Sequence, residues 1–266
     1  MPEERDPPLP RRARTAPAAP SRVREHAGTF DGQVDVARQT RAYLATFGAG
    51  EDLDFVHLCC LARCWALIET PLSPAATAAR LAAFRSADGG FSHVAGASHG
   101  TAYGAFLALG AYEDLGVPLP DASALLRALA GLRSRDGGYA NAPGAETGSV
   151  PAAAAALVTV ADLGGTADPA AVGWLLRAMR PEGGWPAAAE APEADLLSTA
   201  TALHALAAAG VPLDTVREPC LRFADALAVD DPGPPRRMSF RGHPDDPVAD
   251  CEYTFYGLLA LGHLLG

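Results

Sequence analysis

The stretches "LAAFRSADGGF" (81–91), "LAGLRSRDGGY" (129–139) and "LRAMRPEGGW" (176–185) share one grammar: an apolar helix end, an arginine, an acid, two glycines and an aromatic. The acid–Gly–Gly triplets begin at 88, 136 and 182, so the spacings are 48 and 46 residues. A fixed period of this size marks a repeat architecture. Extending it predicts units near 40 and near 230, where "TFGAGED" (46–52) and "VDDPGPP" (229–235) read as degenerate turns. The Gly-Gly-aromatic signal by itself is that of a helix C-cap, with glycine at positive φ and the aromatic packing back.

Each unit continues into a second helix that opens on Gly, Ser or Thr and closes on Gly: "GTAYGAFLALGAYEDLG" (100–116), "GSVPAAAAALVTVADLGG" (148–165), "STATALHALAAAG" (198–210). "DLDFVHLCCLARCWALIETPLS" (52–73) and "ADCEYTFYGLLALGHLLG" (249–266) match as the first and last such helices, giving five helix–loop–helix units. These second helices are apolar nearly all round, as an inner layer requires, whereas "ARLAAFR" and "LLRALAGLR" carry an arginine face suited to an outer layer. Five pairs of this length stack as an open solenoid or close into a ring.

The repeat resembles that of squalene/terpene cyclases and of the β subunits of protein prenyltransferases, over residues 35 to 266. The resemblance implies an all-α fold, an α/α toroid of about five helix hairpins with inner and outer layers. Residues 1–30 are rich in Pro and Arg without an apolar period and read as a disordered tail, leaving 31–266 as one toroid domain. The tail has no apolar core of a secretion signal, and no run of about 18 apolar residues free of charge predicts a membrane span.

A formal charge of −10 argues against nucleic acid as a partner. All 21 basic residues are arginine, which excludes Schiff-base, P-loop and Ser–Lys chemistry. Five cysteines, three of them at 59, 60 and 64, are poor material for a disulfide framework and fit a reducing cytoplasm.

In a toroid the N-terminal ends of the inner helices converge on one mouth, and the residues there include Asp54, His57, His99, Tyr103, Asp250, Glu252 and Tyr253. Trp65, Tyr103, Phe106, Tyr253, Phe255 and Tyr256 all belong to units one, two and five, whereas the third and fourth inner helices are alanine-rich. Ring closure would bring those aromatics together as a substrate surface; ordinary core packing is the competing reading. "DFVHLCC" resembles the segment of protein farnesyltransferase β subunits that carries the zinc-binding histidine, and His57 falls on it. "VADCEYTFYGLLAL" (248–261) resembles the segment carrying Asp-x-Cys before an aromatic run. Asp250 then takes the aspartate's place and Glu252 that of the thiolate, with Cys251 between them.

Asp250 and Glu252 face one ion if the chain is still extended there, and diverge if the helix has begun. The resemblance thus implies a divalent metal at His57, Asp250 and Glu252, zinc first, with Fe(II), Mn(II) or Mg(II) open to a carboxylate-rich set. Against it stands Asp250 as an N-cap and His57 as a hydrogen-bonded histidine. Cys59, Cys60 and Cys64 read as buried inner-helix packing. The cyclase acid motif Asp-x-Asp-Asp is absent, leaving Asp54 as a lone acid. His99, Arg241 and His243 are the candidates for proton transfer or anion contact.

The expected function is prenyl transfer, cyclisation or elimination on an apolar or isoprenoid-like substrate, held by Trp65, Tyr103, Phe106, Tyr253 and Tyr256. The alternative is a non-catalytic carrier of hydrophobic ligands, or a β-like subunit needing a helical α-type partner.

Overall fold

The computed structural model describes residues 36–68, 73–231 and 237–266; the N-terminal tail expected at 1–30 and most of "VDDPGPP" lie outside them. The chain divides into two compact units between Ala42 and Tyr43, inside the first helix. The described part of the first unit is the start of helix α1 (Val36–Ala45).

The second unit alternates two sets of helices, and the names inner and outer follow the sequence reading. The inner ones are α2 (Phe55–Leu67), α4 (Ala102–Asp114), α6 (Val150–Asp162), α8 (Leu196–Ala208) and α10 (Cys251–Leu265). Between them run α3 (Pro74–Ala82), α5 (Ala122–Ala130), α7 (Pro169–Arg177) and α9 (Asp214–Leu227). A hairpin of β1 (Ala228–Asp231) and β2 (Arg237–Phe240) precedes α10, with Ala228 opposite Phe240. The fold is therefore predominantly helical. The inner helices pack consecutively, α2 on α4, α4 on α6, α6 on α8 and α8 on α10, as one row.

Helix α6 sits mid-row and is buried almost throughout, from Val150 to Thr159 with Pro151 the exception. Its alanines let its neighbours approach closely. The outer helices instead bury a single stripe, such as Ala124, Leu125, Ala128 and Leu129 in α5.

One hydrogen bond recurs at the four junctions that lead into α4, α6, α8 and α10. The backbone N–H of Thr101, Ser149, Asp195 and Asp250 donates to the carbonyl of Phe91, Tyr139, Trp185 and Phe240 respectively. Each donor is the N-cap of an inner helix, and each acceptor is an aromatic ten residues before it. The aromatic of each turn therefore anchors the next inner helix, which a simple C-cap staple does not explain. The fourth copy is Phe240 at the end of β2, so the hairpin stands where the period places an acid–Gly–Gly turn near 230.

The acid of the turn has a defined task. Asp88 Oδ1 accepts from Ser86 Oγ at 2.6 Å, Gly90 N at 3.0 Å and Gly100 N at 3.1 Å. Asp136 repeats this with Ser134, Gly138 and Gly148, and adds Trp174 Nε1 at 2.9 Å. Burial pushes both carboxyls up, but the donated hydrogen bonds outweigh it and hold both below the ordinary carboxylate range.

A depressed folded-state pKa stabilises the fold above the unfolded value, about 3.9, and that contribution is lost as pH falls through the folded value. Asp136→Asn is expected to cost about 1–2 kcal/mol at pH 7, the rim being partly solvated, and to show a shallower loss from pH 5 to pH 2 than the parent. Urea unfolding across that range checks both; a parallel pH dependence would remove Asp136 from this role.

Candidate functional site

The N-termini of α2, α8 and α10 are closed by carboxylates. Asp54, Asp195 and Asp250 accept from the N–H of His57, Ser198 and Tyr253 at 2.9, 2.7 and 2.8 Å. Thr101 does the same for α4 through Gly104 N at 2.8 Å. All have extended backbone at the cap, as an N-cap requires.

His57 faces solvent, with its Nδ1 2.8 Å from Asp54 Oδ2. Hydrogen bonds from the His57 backbone and ring hold the Asp54 carboxyl below its ordinary range. Asp54 is thus an ionised cap, the opposite of the neutral acid that olefin protonation needs.

Asp250 is the residue before α10 and Glu252 lies within its first turn, so the diverging alternative applies. Asp250 Oδ1 is committed to Tyr253 N and His57 to Asp54. Among the described residues no three His, Cys, Asp or Glu side chains are gathered as a ligand set. His57, Asp250 and Glu252 therefore do not fit the metal centre that the resemblance implies.

The aromatics separate into two places. Trp65 is buried with Leu44 and Leu61 in a small cluster beside Phe47, Leu53 and Ile68, apart from the main core. Its side of α2 is the one covered by the chain around Leu44, so Trp65 does not share a cluster with Phe106 and Tyr256. Phe106 and Tyr256 instead pack on the main core, and Tyr253 and Tyr256 flank a cluster of Leu196, Leu227 and Phe240. Tyr103 is half-exposed, and its backbone N–H reaches Asn141 Oδ1 at 3.3 Å, a contact from the next unit's loop with no signal in the sequence.

Three phenols share one electrostatic neighbour. Burial raises the pKa of Tyr103, and Cys60, Cys59 and the Glu252 carboxylate raise it further. Tyr256 is raised by burial, Tyr103 and Glu252, and Tyr253 by burial and then Glu252. Glu252 itself is exposed, has no ion-pair partner among the described residues, and sits at the N-terminus of α10, where a negative charge is favoured.

The remaining candidates lie elsewhere. His99 Nδ1 is 3.1 Å from Gly100 O, beside the Asp88 turn. Arg241 donates to Pro244 O at 3.3 Å and Ala226 O at 3.1 Å, bracing its own loop against the end of α9. His243 lines a cleft of about 270 Å³ with Glu193, Asp195 and Asp245, an acidic surface unsuited to an anion. Cys59 is buried and its thiol is pushed up to about 12, chiefly by burial, so it does not serve as a nucleophile. Cys60 is exposed on α2, contrary to its reading as core filler.

Comparison with protein-family models and with curated proteins returned no match to this chain.

Proposed function

We propose that the inner row curls into an α/α toroid of the prenyltransferase and terpene-cyclase kind, and that its mouth takes an apolar or isoprenoid-like small molecule. The observation that carries this reading is that Tyr103 on α4 and Tyr256 and Glu252 on α10 act on one another electrostatically, although α6 and α8 separate these two helices in the row. Tyr103, Phe106, Tyr253 and Tyr256 form the apolar wall, and neutral phenols beside one carboxylate favour a cationic or electron-poor centre over an anion.

A diphosphate is poorly served: Arg241 is committed to carbonyls and His243 faces acids. His57 is engaged with Asp54 as a cap pair, and Asp250 caps α10. Enzymatic prenyl transfer, cyclisation or elimination in the cytoplasm is the activity proposed for this mouth, with Glu252 as its ionisable group. The carrier or β-like subunit reading draws on a separate observation: Phe255, Leu258 and Leu265 leave one stripe of α10 exposed, as a partner-bound helix would.

Titration calorimetry with farnesol and with farnesyl diphosphate tests the mouth. Farnesol is expected to bind, the diphosphate no more tightly, and Tyr103→Ala with Tyr256→Ala to weaken binding by about tenfold or more. Absence of farnesol binding, or equal binding by the double variant, would refute the site; mass analysis of the mixture distinguishes enzyme from carrier.

A further inference from the structure

Helices α8 and α10 also meet through a histidine pair. His204 Nδ1 lies 3.0 Å from His263 Nε2, with ring centroids 5.1 Å apart and planes at 42°. These separations place the rings nearly end to end. One nitrogen therefore offers its lone pair to the other's N–H, instead of both turning toward a third point as metal ligands do.

The pair occupies a slot that the repeat uses elsewhere. Arg63, nine residues after the cap Asp54, donates to Asp114 at 2.6 Å, and Asp114 stands thirteen after the cap Thr101. His204 stands nine after Asp195, and His263 thirteen after Asp250. An ion pair thus ties α2 to α4 where a titratable pair ties α8 to α10.

We infer that His204 and His263 form an acid-released latch on α10, closed while either facing nitrogen is unprotonated and opened when both carry a proton. The neutral pair keeps one N–H···N bond, and the singly protonated pair keeps it in charge-assisted form. The second proton leaves two donors face to face and two positive charges between packed helices, so the release belongs to the pair rather than to either ring.

Burial, and then His204, hold the His263 imidazole below its ordinary range. The elements packed on α8 and α10 are α6, α9 and β2. Asp162 is the one ionisable residue of α6, and Arg237 that of β2. On α9, Arg217 and Arg222 pair with Asp214 and Glu218, Asp225 lines a cleft, and Cys220 is buried. Glu252, Tyr253 and Tyr256 lie toward the opposite end of α10. Among the described residues His204 is the one ionisable group whose charge acts on His263.

A histidine whose folded pKa is depressed stabilises the fold above the unfolded value, about 6.5, and the contribution declines as pH falls below it. Acid therefore loosens α10 first. Its other end carries Glu252, Tyr253 and Tyr256, but the latch stands or falls independently of what the mouth binds.

Hydrogen exchange on the whole chain at pH 7.5 and pH 5.5, corrected for intrinsic rates, tests it. Protection across 251–265 is expected to fall by about tenfold while that of α4 and α6 holds, one pKa unit corresponding to tenfold. His263→Leu, which keeps the packing without the proton, is expected to abolish that difference. Unchanged protection of α10 in the parent, or the same loss in His263→Leu, overturns the latch. Should the variant not fold, the parent comparison alone decides, because a drop shared equally by α4 and α6 is global acid unfolding and also overturns it.

Discussion

Trp185→Ala is expected to destabilise the protein by about 3–5 kcal/mol, lowering the unfolding temperature by roughly 10 °C. The indole is fully buried, and its Nε1–H donates to Leu175 O at 2.7 Å, at the end of α7. Its backbone is fixed as well: its N–H donates to Thr199 Oγ1 at 2.9 Å and its carbonyl accepts from Asp195 N at 3.0 Å. Truncation opens a large cavity between α7 and α8 and leaves a buried carbonyl without its donor.

Trp185→Phe separates the two costs. It keeps most of the volume and loses the hydrogen bond, so about 1–2 kcal/mol is expected. Urea unfolding of both variants provides the check, and a loss below about 1 kcal/mol for the alanine variant would contradict the anchoring role of the turn aromatic.

The repeat was legible because its signal is local. Gly-Gly-aromatic at 89–91, 137–139 and 183–185 must be close in sequence to make a turn, and a 3.6-residue period gives the helices on either side. The last copy was harder to read because its aromatic, Phe240, ends a strand pair of β1 and β2 without a Gly-Gly pair before it; the interval from Phe240 to Asp250 is what it shares with the others. The role of Asp88 and Asp136 was also encoded, as a serine two residues before and a glycine twelve after, but only as a pattern of side-chain acceptors.

The site was less legible. His57 and Asp54 are three residues apart and satisfy each other locally, whereas the metal reading needed α2 and α10 to meet at chosen atoms. Nothing in either segment states that distance. Trp65 illustrates the same limit, since which side of α2 is covered depends on Leu44 of α1. Tyr103, Phe106 and Tyr256 stand near the starts of two helices bordering an alanine-rich pair, and their part in a substrate wall belongs to the proposed function.

Gly183→Ala is expected to cost about 3 kcal/mol or more, and Gly137→Ala only about 1 kcal/mol, although both glycines hold the same place in the turn. Their φ values are +103° and +96°, a region that L side chains avoid, so both variants carry the backbone strain. They differ in what a Cβ would meet. At Gly137 nothing lies within 4 Å, whereas at Gly183 it would come within 2.3 Å of the Pro219 carbonyl oxygen and 2.7 Å of its carbon. Those are backbone atoms of α9 and cannot swing aside, so α9 itself must shift and draw Phe223 from its contact with Gly184. Gly89, where the obstacle is the Ala124 methyl at 2.6 Å, is expected to fall between them. Urea unfolding of the three alanine variants checks the order, and equal costs would mean that backbone conformation alone, without the close approach of the following outer helix, selects glycine in this turn.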